Sequence, residues 1–199
     1  MSVVDRDEAV RLLNAGGVVA VPTDTVYGLA ASLEHDDAIA HIFSMKHRPS
    51  AVALPVLVGA TSSIEGLGVT WLPIARTLSD AFWPGALTIV VDVPRELARR
   101  VGSGEDTVGF RLPDDELLRE VLTLTGPLVV SSANEHGEPP CHSVDEVLAI
   151  FGESETLKAI LDGGERVGDV STVIQVHESE WKILRHGAVN ADDVARLLA

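Results

Sequence analysis

The sequence predicts a single α/β domain in which helices flank a twisted sheet of parallel and antiparallel strands. Short apolar runs typical of buried strands alternate along the chain with segments whose apolar residues recur at helical spacing. The 199 residues suit one domain, and no linker, internal repeat or low-complexity tract interrupts them. We therefore expect one domain over residues 1–199, built around a mixed sheet.

The first half of the chain begins with a helix and a buried strand. Asp5 is expected to cap a helix that runs to about Asn14, and the apolar run Val18–Val21 predicts a strand. Asp36 is expected to cap a second helix, which cannot continue through Pro49. Further along we expect a strand at 55–58, a loop at 59–72, a helix that starts near Pro73 and a strand at 87–91.

The second half continues the alternation. Thr107–Arg111 and residues 128–131 read as strands, and Asp114 is expected to cap a helix between them. Ser143 with Glu146 predicts a capping box. The remaining expectations are a loop at 133–142, a strand hairpin from 170–176 and 181–184, and a last helix capped by Asn190.

Composition narrows the class of protein. Asp and Glu number 30 against 15 Lys and Arg, and the formal charge of -15 disfavours broad binding to nucleic acid or anionic membrane. Cys141 is the single cysteine, so no intrachain disulfide can form. The sequence has no apolar signal-peptide core and no apolar run of membrane-spanning length. We therefore expect a cytoplasmic protein without a membrane anchor.

Two predicted strands end in clusters of polar residues. Val18–Val21 runs into Pro-Thr-Asp-Thr, and the strand at 128–130 runs into Ser-Ser-Ala-Asn. In α/β sheets, ligands bind beyond the carboxyl ends of strands. Each cluster alone is also what ordinary turns use. Two such clusters in one chain favour a shared polar pocket.

Basic residues are scarce but stand at the ends of elements. Lys46 and Arg48 lie where the second helix must stop, and Arg111 and Arg185 end two predicted strands. A cation at a helix C-terminus also complements the dipole, and each arginine could be an ordinary surface charge. In so acidic a protein, their positions together suggest a local anion site.

Other chemistries find less support in the sequence. It contains no Walker A motif, no Gly-x-Ser-x-Gly elbow and no HExxH or other metal spacing among its seven histidines. Cys141 follows two prolines with no evident activating base, so we do not expect it to be a nucleophile.

Seven short motifs, taken in order, resemble those of the Sua5/YrdC/YciO family of threonylcarbamoyl-adenylate synthases. Each is weak alone, but their order and spacing are specific, and the resemblance covers nearly the whole chain. The motifs are PTDTVYGL (22–29), the Lys-x-Arg of MKHRP (45–49), WPGALT (83–88), VGFRLP (108–113), SSAN (131–134) with Gly137, STV (171–173) and ILRHG (183–187).

The resemblance implies a YrdC-like fold over residues 1–199 and a nucleotidyltransferase reaction. Threonine and bicarbonate or CO2 form a carbamate, which attacks the α-phosphate of ATP to give threonylcarbamoyl-AMP and pyrophosphate. This is the first step of the t6A37 modification of tRNA, and a partner transferase complex completes it. ATP is a substrate in this reaction, and Mg²⁺ is expected with it.

The resemblance also implies roles for individual residues. The catalytic set would be Lys46, Arg48, Ser131 and Asn134. The threonine site would contain Thr25, Tyr27, Arg111, Ser131 and Ser171, with Arg111 on the carboxylate, a group that the guanidinium fork suits. The nucleotide would contact Arg48, Thr107, Ala133, Cys141 and Arg185.

Three positions depart from the family pattern, and two other functions stay open. Val52 stands where Asn is frequent, Leu57 where some members have His, and Cys141 where Thr or Ser is usual, so ATP affinity or the nucleotide substrate could differ. One alternative is a carbamoyl-adenylate enzyme of the same superfamily. The other is a non-catalytic module that binds double-stranded RNA or tRNA. The net charge leads us to expect weak direct binding of tRNA.

Overall fold

The computed structural model describes residues 1–47, 53–135, 137–178 and 180–199. These residues form one ten-stranded sheet with helices on both of its faces. The strands are β1 (Ser2–Val4), β2 (Val18–Val21), β3 (Gly28–Ser32), β4 (Val56–Leu57), β5 (Leu87–Asp92), β6 (Thr107–Arg111), β7 (Leu128–Ser132), β8 (Leu157–Leu161), β9 (Thr172–His177) and β10 (Glu180–Arg185). The helices are α1 (Arg6–Asn14), α2 (Asp36–Met45), α3 (Ser62–Gly66), α4 (Pro73–Phe82), α5 (Arg95–Arg100), α6 (Glu116–Thr125), α7 (Val144–Phe151) and α8 (Ala191–Leu197).

The sheet is mixed, as the sequence predicts. Its order is β1-β8-β2-β3-β7-β4-β6-β5-β9-β10. The pairs β1/β8, β2/β8, β4/β6 and β5/β9 are parallel, and the remaining neighbours are antiparallel. The predicted hairpin is the antiparallel pair β9/β10.

The central strands are buried on both faces, which explains why β2 is a continuous apolar run. Val18 and Ala20 belong to one core cluster, whereas Val19 and Val21 belong to the other. Helices α1 and α6 pack on the second face, while α2, α4, α7 and α8 contribute buried residues to the first. No helix in the described ranges is both long and apolar enough to cross a membrane.

Three predicted helix caps are confirmed and two are wrong. Asp5, Ser143 and Asn190 each accept a backbone N–H of the helix that follows. Helix α6 is capped by Asp115 and not Asp114, because the extended backbone of Asp115 places its carboxylate 2.8 Å from the amide of Leu118. Asp36 is the first residue of α2 rather than its cap, where a carboxylate still complements the helix dipole.

Five elements have no counterpart among the predicted ones. They are β1, β3, β8, α3 and α5, and α3 lies within the predicted loop at 59–72. The sequence of β3, GLAAS, has weak β propensity, but β3 pairs with β2 on one side and β7 on the other. Tertiary pairing therefore overrides the local preference of this segment.

Candidate functional site

A small pocket of about 130 Å³ lies where the two predicted polar clusters meet. Strand β3 brings them together because it pairs antiparallel with both β2 and β7, with Gly28 opposite Val21 on one side and Ser132 on the other. The carboxyl ends of β2 and β7 therefore share one edge of the sheet. The polar residues that line the pocket are Thr23, Thr25, Tyr27, Thr88, Arg111, Ser131, Ser132, Ser171 and Arg185.

The hydroxyls after β2 have two different tasks. Thr23 Oγ1 donates to the carbonyl of Val26 at 2.7 Å and accepts the amides of Thr25 and Val26, both at 3.1 Å. This hydroxyl therefore closes the turn itself. Thr25 Oγ1 lies 2.9 Å from Thr23 Oγ1 and accepts a hydrogen bond from Arg111 at 3.1 Å. Thr25, which lines the pocket, therefore links the turn to Arg111 through its hydroxyl.

Arg111 is the main cation of the pocket and is only 6% exposed. Its Nε donates to the carbonyl of Gly85 at 3.0 Å, its Nη1 to Thr25 Oγ1, and its Nη2 to Asp24 Oδ1 at 2.6 Å. The guanidinium is therefore fixed by contacts to both the WPGALT and the PTDTVYGL segments. Sequence reasoning placed Arg111 in the pocket but missed its ion pair with Asp24.

Arg185 supplies a second cation. It donates to the carbonyl of Ser171 through Nε at 3.1 Å and Nη2 at 2.8 Å, and to the Ser171 hydroxyl at 3.0 Å. The Ser171 hydroxyl also lies 2.9 Å from Thr88 Oγ1, a pocket residue that the sequence did not single out. Partial burial and the nearby charge of Arg111 lower the pKa of Arg185. Two guanidinium groups whose charges affect each other in this way favour an anionic ligand between them.

Ser131 lines the same pocket from the end of β7. Its hydroxyl makes no hydrogen bond to other described residues, so it can serve a ligand. Gly28 lines the same pocket, and a Cβ at this position would lie 2.5 Å from a Val130 methyl group. The glycine therefore allows the close pairing of β3 with β7.

Lys46 and Asn134, predicted to act together, are in contact next to this pocket. Lys46 follows α2, is 1% exposed, and donates to the carbonyls of Ser132 at 2.5 Å and Asn134 at 2.6 Å. It also donates to Asn134 Oδ1 at 3.0 Å, while the Asn134 amide group holds the carbonyls of Glu135 and Glu138. Lys46 therefore organises the SSAN turn. Arg48, the other predicted catalytic cation, lies outside the described residues.

Three of the predicted residues meet through their backbones. The amide of Ala133 donates to the carbonyl of Tyr27 at 2.8 Å. The amide of Cys141 donates to the carbonyl of Ala133 at 3.0 Å, and the amide of Tyr27 donates to the carbonyl of Cys141 at 2.9 Å.

Burial raises the pKa of the Cys141 thiol to about 11, the Glu146 carboxylate adds to this rise, and Lys46 opposes it. The thiol is therefore protonated near neutral pH, which fits the expectation that it is not a nucleophile.

An irregular segment, residues 162–171, packs against the PTDT turn; we call it the strap. The side chain of Arg166 pairs with Asp115 at 2.7 Å, donates to the carbonyl of Thr23 at 3.3 Å, and lies 6.0 Å from the Tyr27 ring centroid. The hydroxyl of Tyr27 donates to the carbonyl of Gly164 at 2.9 Å. The strap therefore holds the turn at Thr23 and at Tyr27, which follows the turn. The sequence predicted only the last residues of the strap, as the start of the strand at 170–176.

Leu57 lines the pocket, but Thr107 lies farther along the sheet. Thr107 does not line the pocket, since it lies four residues before Arg111 on β6, roughly 13 Å away along the strand. The two side chains nevertheless project from the same face of β6, because strand side chains alternate. Leu57 lines the pocket with an apolar side chain, whereas Val52 lies outside the described residues. An ATP contact by Thr107 therefore stays a prediction.

Within the described ranges, no group of three or more His, Cys, Asp or Glu side chains is arranged to bind a metal ion. The Mg²⁺ expected with ATP therefore has no protein ligand set that the structure identifies, and it stays a prediction.

Comparisons with solved structures agree with the fold. The chain is 32% identical to Pyrococcus abyssi Sua5, solved in complex with L-threonine, with a TM-score of 0.90 over 96% of this chain and 56% of that one. Escherichia coli YciO has a TM-score of 0.81 over 93% of this chain and 90% of its own, but at 22% identity it supports the fold alone.

Comparisons of sequence agree as well. The chain is 38% identical to a putative threonylcarbamoyl-AMP synthase of Mycobacterium leprae, over 96% of this chain and 86% of the relative. It is 34% identical to the threonylcarbamoyl-AMP synthase of Bacillus subtilis, of which it spans 56%. The family model for Sua5, YciO and YrdC proteins, described as "Telomere recombination", matches residues 11–187. The chain therefore belongs to the Sua5/YciO/YrdC family.

Proposed function

We propose that the protein synthesises threonylcarbamoyl-AMP from L-threonine, bicarbonate or CO2, and ATP, with release of pyrophosphate. The observation that carries this proposal is the buried guanidinium of Arg111 in a small pocket lined by threonine and serine hydroxyls. An amino acid with a hydroxyl side chain offers a carboxylate to the guanidinium and hydrogen bonds to the hydroxyls of the pocket. Relatives that carry this synthase name support the same substrates.

Threonine is the substrate that fits the pocket. The volume of the pocket is about 130 Å³, whereas pockets for drug-sized ligands begin at ~300 Å³. The small volume disfavours binding of a whole nucleotide in this pocket. Arg111 binds the α-carboxylate, while Thr25, Ser131 and Ser171 bind the remaining polar groups. Tyr27 lies fully buried at the side of the pocket and sets its shape.

The chemistry has two steps. The threonine amine attacks CO2 to form a carbamate, with loss of a proton from the nitrogen. A carbamate oxygen then attacks the α-phosphorus of ATP, the bond to the β-phosphate oxygen breaks, and pyrophosphate leaves with the bonding electron pair. Both reactants are anionic, so catalysis consists mainly of positioning and charge neutralisation.

Lys46 and Arg48 are the cations proposed to neutralise this charge, together with Ser131 and Asn134. Lys46 lies against the SSAN turn, next to the pocket proposed to hold threonine. Arg185, Thr107, the Ala133 backbone and Cys141 are proposed to contact ATP, which enters as its Mg²⁺ complex.

The product is proposed to serve tRNA through a partner. Threonylcarbamoyl-AMP would pass to a transferase complex that completes the t6A37 modification, in the cytoplasm where tRNA and ATP are both present. The reducing conditions there suit a chain whose single cysteine is buried and free.

The test is pyrophosphate release with each substrate omitted in turn. We expect release only when ATP, threonine and bicarbonate are all present. Arg111→Gln should abolish threonine-dependent release, whereas Arg196→Gln, which removes an exposed arginine paired with Asp193, should leave it unchanged. Equal release without threonine would rule out the synthase. Release that needs carbamoyl phosphate in place of threonine and bicarbonate would instead identify a carbamoyl-adenylate enzyme.

A further inference from the structure

We propose that Asp24 is a positioning residue that orients the guanidinium of Arg111 for the carboxylate of the amino-acid substrate. The inference rests on the proposed function, since it assigns a task within the same pocket. The Asp24 Oδ1 atom lies 2.6 Å from Arg111 Nη2, and the two side chains are only 13% and 7% exposed. A buried ion pair of this geometry fixes the orientation of both partners.

Asp24 acts on the substrate through Arg111 and not by direct contact. Arg111 and the neighbouring Thr23 and Thr25 line the pocket, but Asp24 does not. Its carboxylate therefore contacts the guanidinium without forming part of the cavity lining. This placement also keeps a negative charge out of the space that an anionic ligand would fill.

The hydrogen bonds of Arg111 leave the number of donors that a carboxylate needs. A guanidinium has five N–H donors. Nε donates to the carbonyl of Gly85, Nη1 donates to the hydroxyl of Thr25, and Nη2 donates to the carboxylate of Asp24. One N–H on each terminal nitrogen remains, and a carboxylate binds two such donors at once. Asp24 and Thr25 thus select which two N–H groups face the ligand.

The backbone around Asp24 is itself held in place, so the carboxylate is preorganised. Thr23 Oγ1 closes the turn on both sides of it. On its outer side the strap approaches so closely that a Cβ at Gly168 would lie 2.7 Å from the Asp24 carbonyl oxygen.

The experiment compares Asp24→Ala, Asp24→Asn and Asp24→Glu by the KM values for threonine and ATP and by kcat, with melting curves to show that each variant is folded. We expect Asp24→Ala to raise the threonine KM about tenfold or more while the ATP KM stays within about twofold, because only the threonine carboxylate depends on Arg111. Asp24→Asn keeps the hydrogen-bond acceptor and loses the charge, so its threonine KM should lie between those of the wild type and Asp24→Ala. Asp193→Ala removes an exposed partner of Arg196 and is the matched control.

A double-mutant cycle separates positioning from direct contact. In the Arg111→Lys background, calorimetry should show that Asp24→Ala has little further effect on threonine binding, because its effect passes through the guanidinium. Additive losses would overturn the inference and make Asp24 a direct ligand. An unchanged or lowered threonine KM in Asp24→Ala would also overturn it. A wild-type protein that turns over without threonine would instead refute the proposed function, and the inference with it.

Discussion

The ammonium of Lys46 and the side-chain oxygen of Asn134, 88 positions apart in the chain, lie 3.0 Å from each other. The same ammonium holds the backbone carbonyls of Ser132 and Asn134. Lys46 therefore has a structural contact with the SSAN turn in addition to its proposed catalytic role. The two contributions can be separated by measuring stability and turnover together.

Replacing Lys46 by Met should lower both the stability of the protein and its turnover. Loss of the buried ammonium leaves acceptors unpaired, at a cost of roughly 1–3 kcal/mol in the free energy of unfolding. Loss of the charge should remove roughly 2–4 kcal/mol of transition-state stabilisation, measured as kcat/KM for pyrophosphate release. Lys158→Met is the control, because Lys158 is exposed and, among the described residues, donates only to the carbonyl of Glu155. Normal turnover with a lowered melting temperature would leave Lys46 with the structural task alone.

The paired hydroxyls of Thr88 and Ser171 should matter for threonine affinity. Ser171→Ala and Thr88→Val each remove one hydroxyl of a 2.9 Å pair in the pocket, and each should weaken threonine binding by roughly 0.5–1.5 kcal/mol. Calorimetry with threonine measures the change. Thr123→Val is a suitable control, since within the described part of the chain its hydroxyl bonds only to the carbonyl of Arg119, on an exposed face of α6. Equal affinity in all three variants would place the substrate elsewhere in the pocket.

The close approach of the strap can be tested at Gly168. A Cβ here would lie 2.7 Å from the Asp24 carbonyl oxygen and 3.0 Å from the Thr25 Cα, so Gly168→Ala must displace the strap or the PTDT turn. We expect weaker threonine binding, because Thr25 and the support of Arg111 move with that turn. Gly104→Ala should have no such effect, as a Cβ there would meet no atom within 4 Å. Unaltered threonine affinity in Gly168→Ala would show that the strap shifts without moving the site.

Cys141 should react slowly in the folded protein. Since burial raises its pKa to about 11, iodoacetamide should modify the native thiol slowly at pH 8, faster as the pH approaches 11, and readily in urea. The folded-state pKa lies above the unfolded value of about 8.5, so the stabilising contribution of the protonated thiol is complete below that value and declines as the pH rises towards 11. The difference in unfolding free energy between wild type and Cys141→Ala should follow this trend. Rapid labelling of the native protein at pH 8 would contradict it.

Direct binding of tRNA should be weak at physiological salt. The formal charge is -15, and affinity for nucleic acid depends mostly on Lys and Arg that neutralise phosphates. Helix α5 carries Arg95, Arg99 and Arg100 close together, but Arg95 and Arg100 pair with Asp106 and Asp36. Titration of labelled tRNA at several salt concentrations measures the affinity. Tight binding with a steep salt dependence would revive the alternative of an RNA-binding module.

The sequence by itself determined the class of the fold and much of the polar site. Strand β2, helix α1 and the caps at Asp5, Ser143 and Asn190 follow from local patterns, and so does the end of β2 in hydroxyls. These features depend on neighbours within a few residues, which a sequence displays directly. The family motifs then supplied the residues that the structure brings into the pocket, including Arg111 and Ser171.

Tertiary structure alone decided the contacts between distant segments. Strand β3 forms because β2 and β7 pair with it, although its own residues favour a strand only weakly. Asp24 and Arg111 are 87 positions apart, and the strap reaches the PTDT turn from an even greater distance along the chain. Such contacts depend on strand order and register, which arise from the packing of the whole domain and leave no local pattern in the sequence.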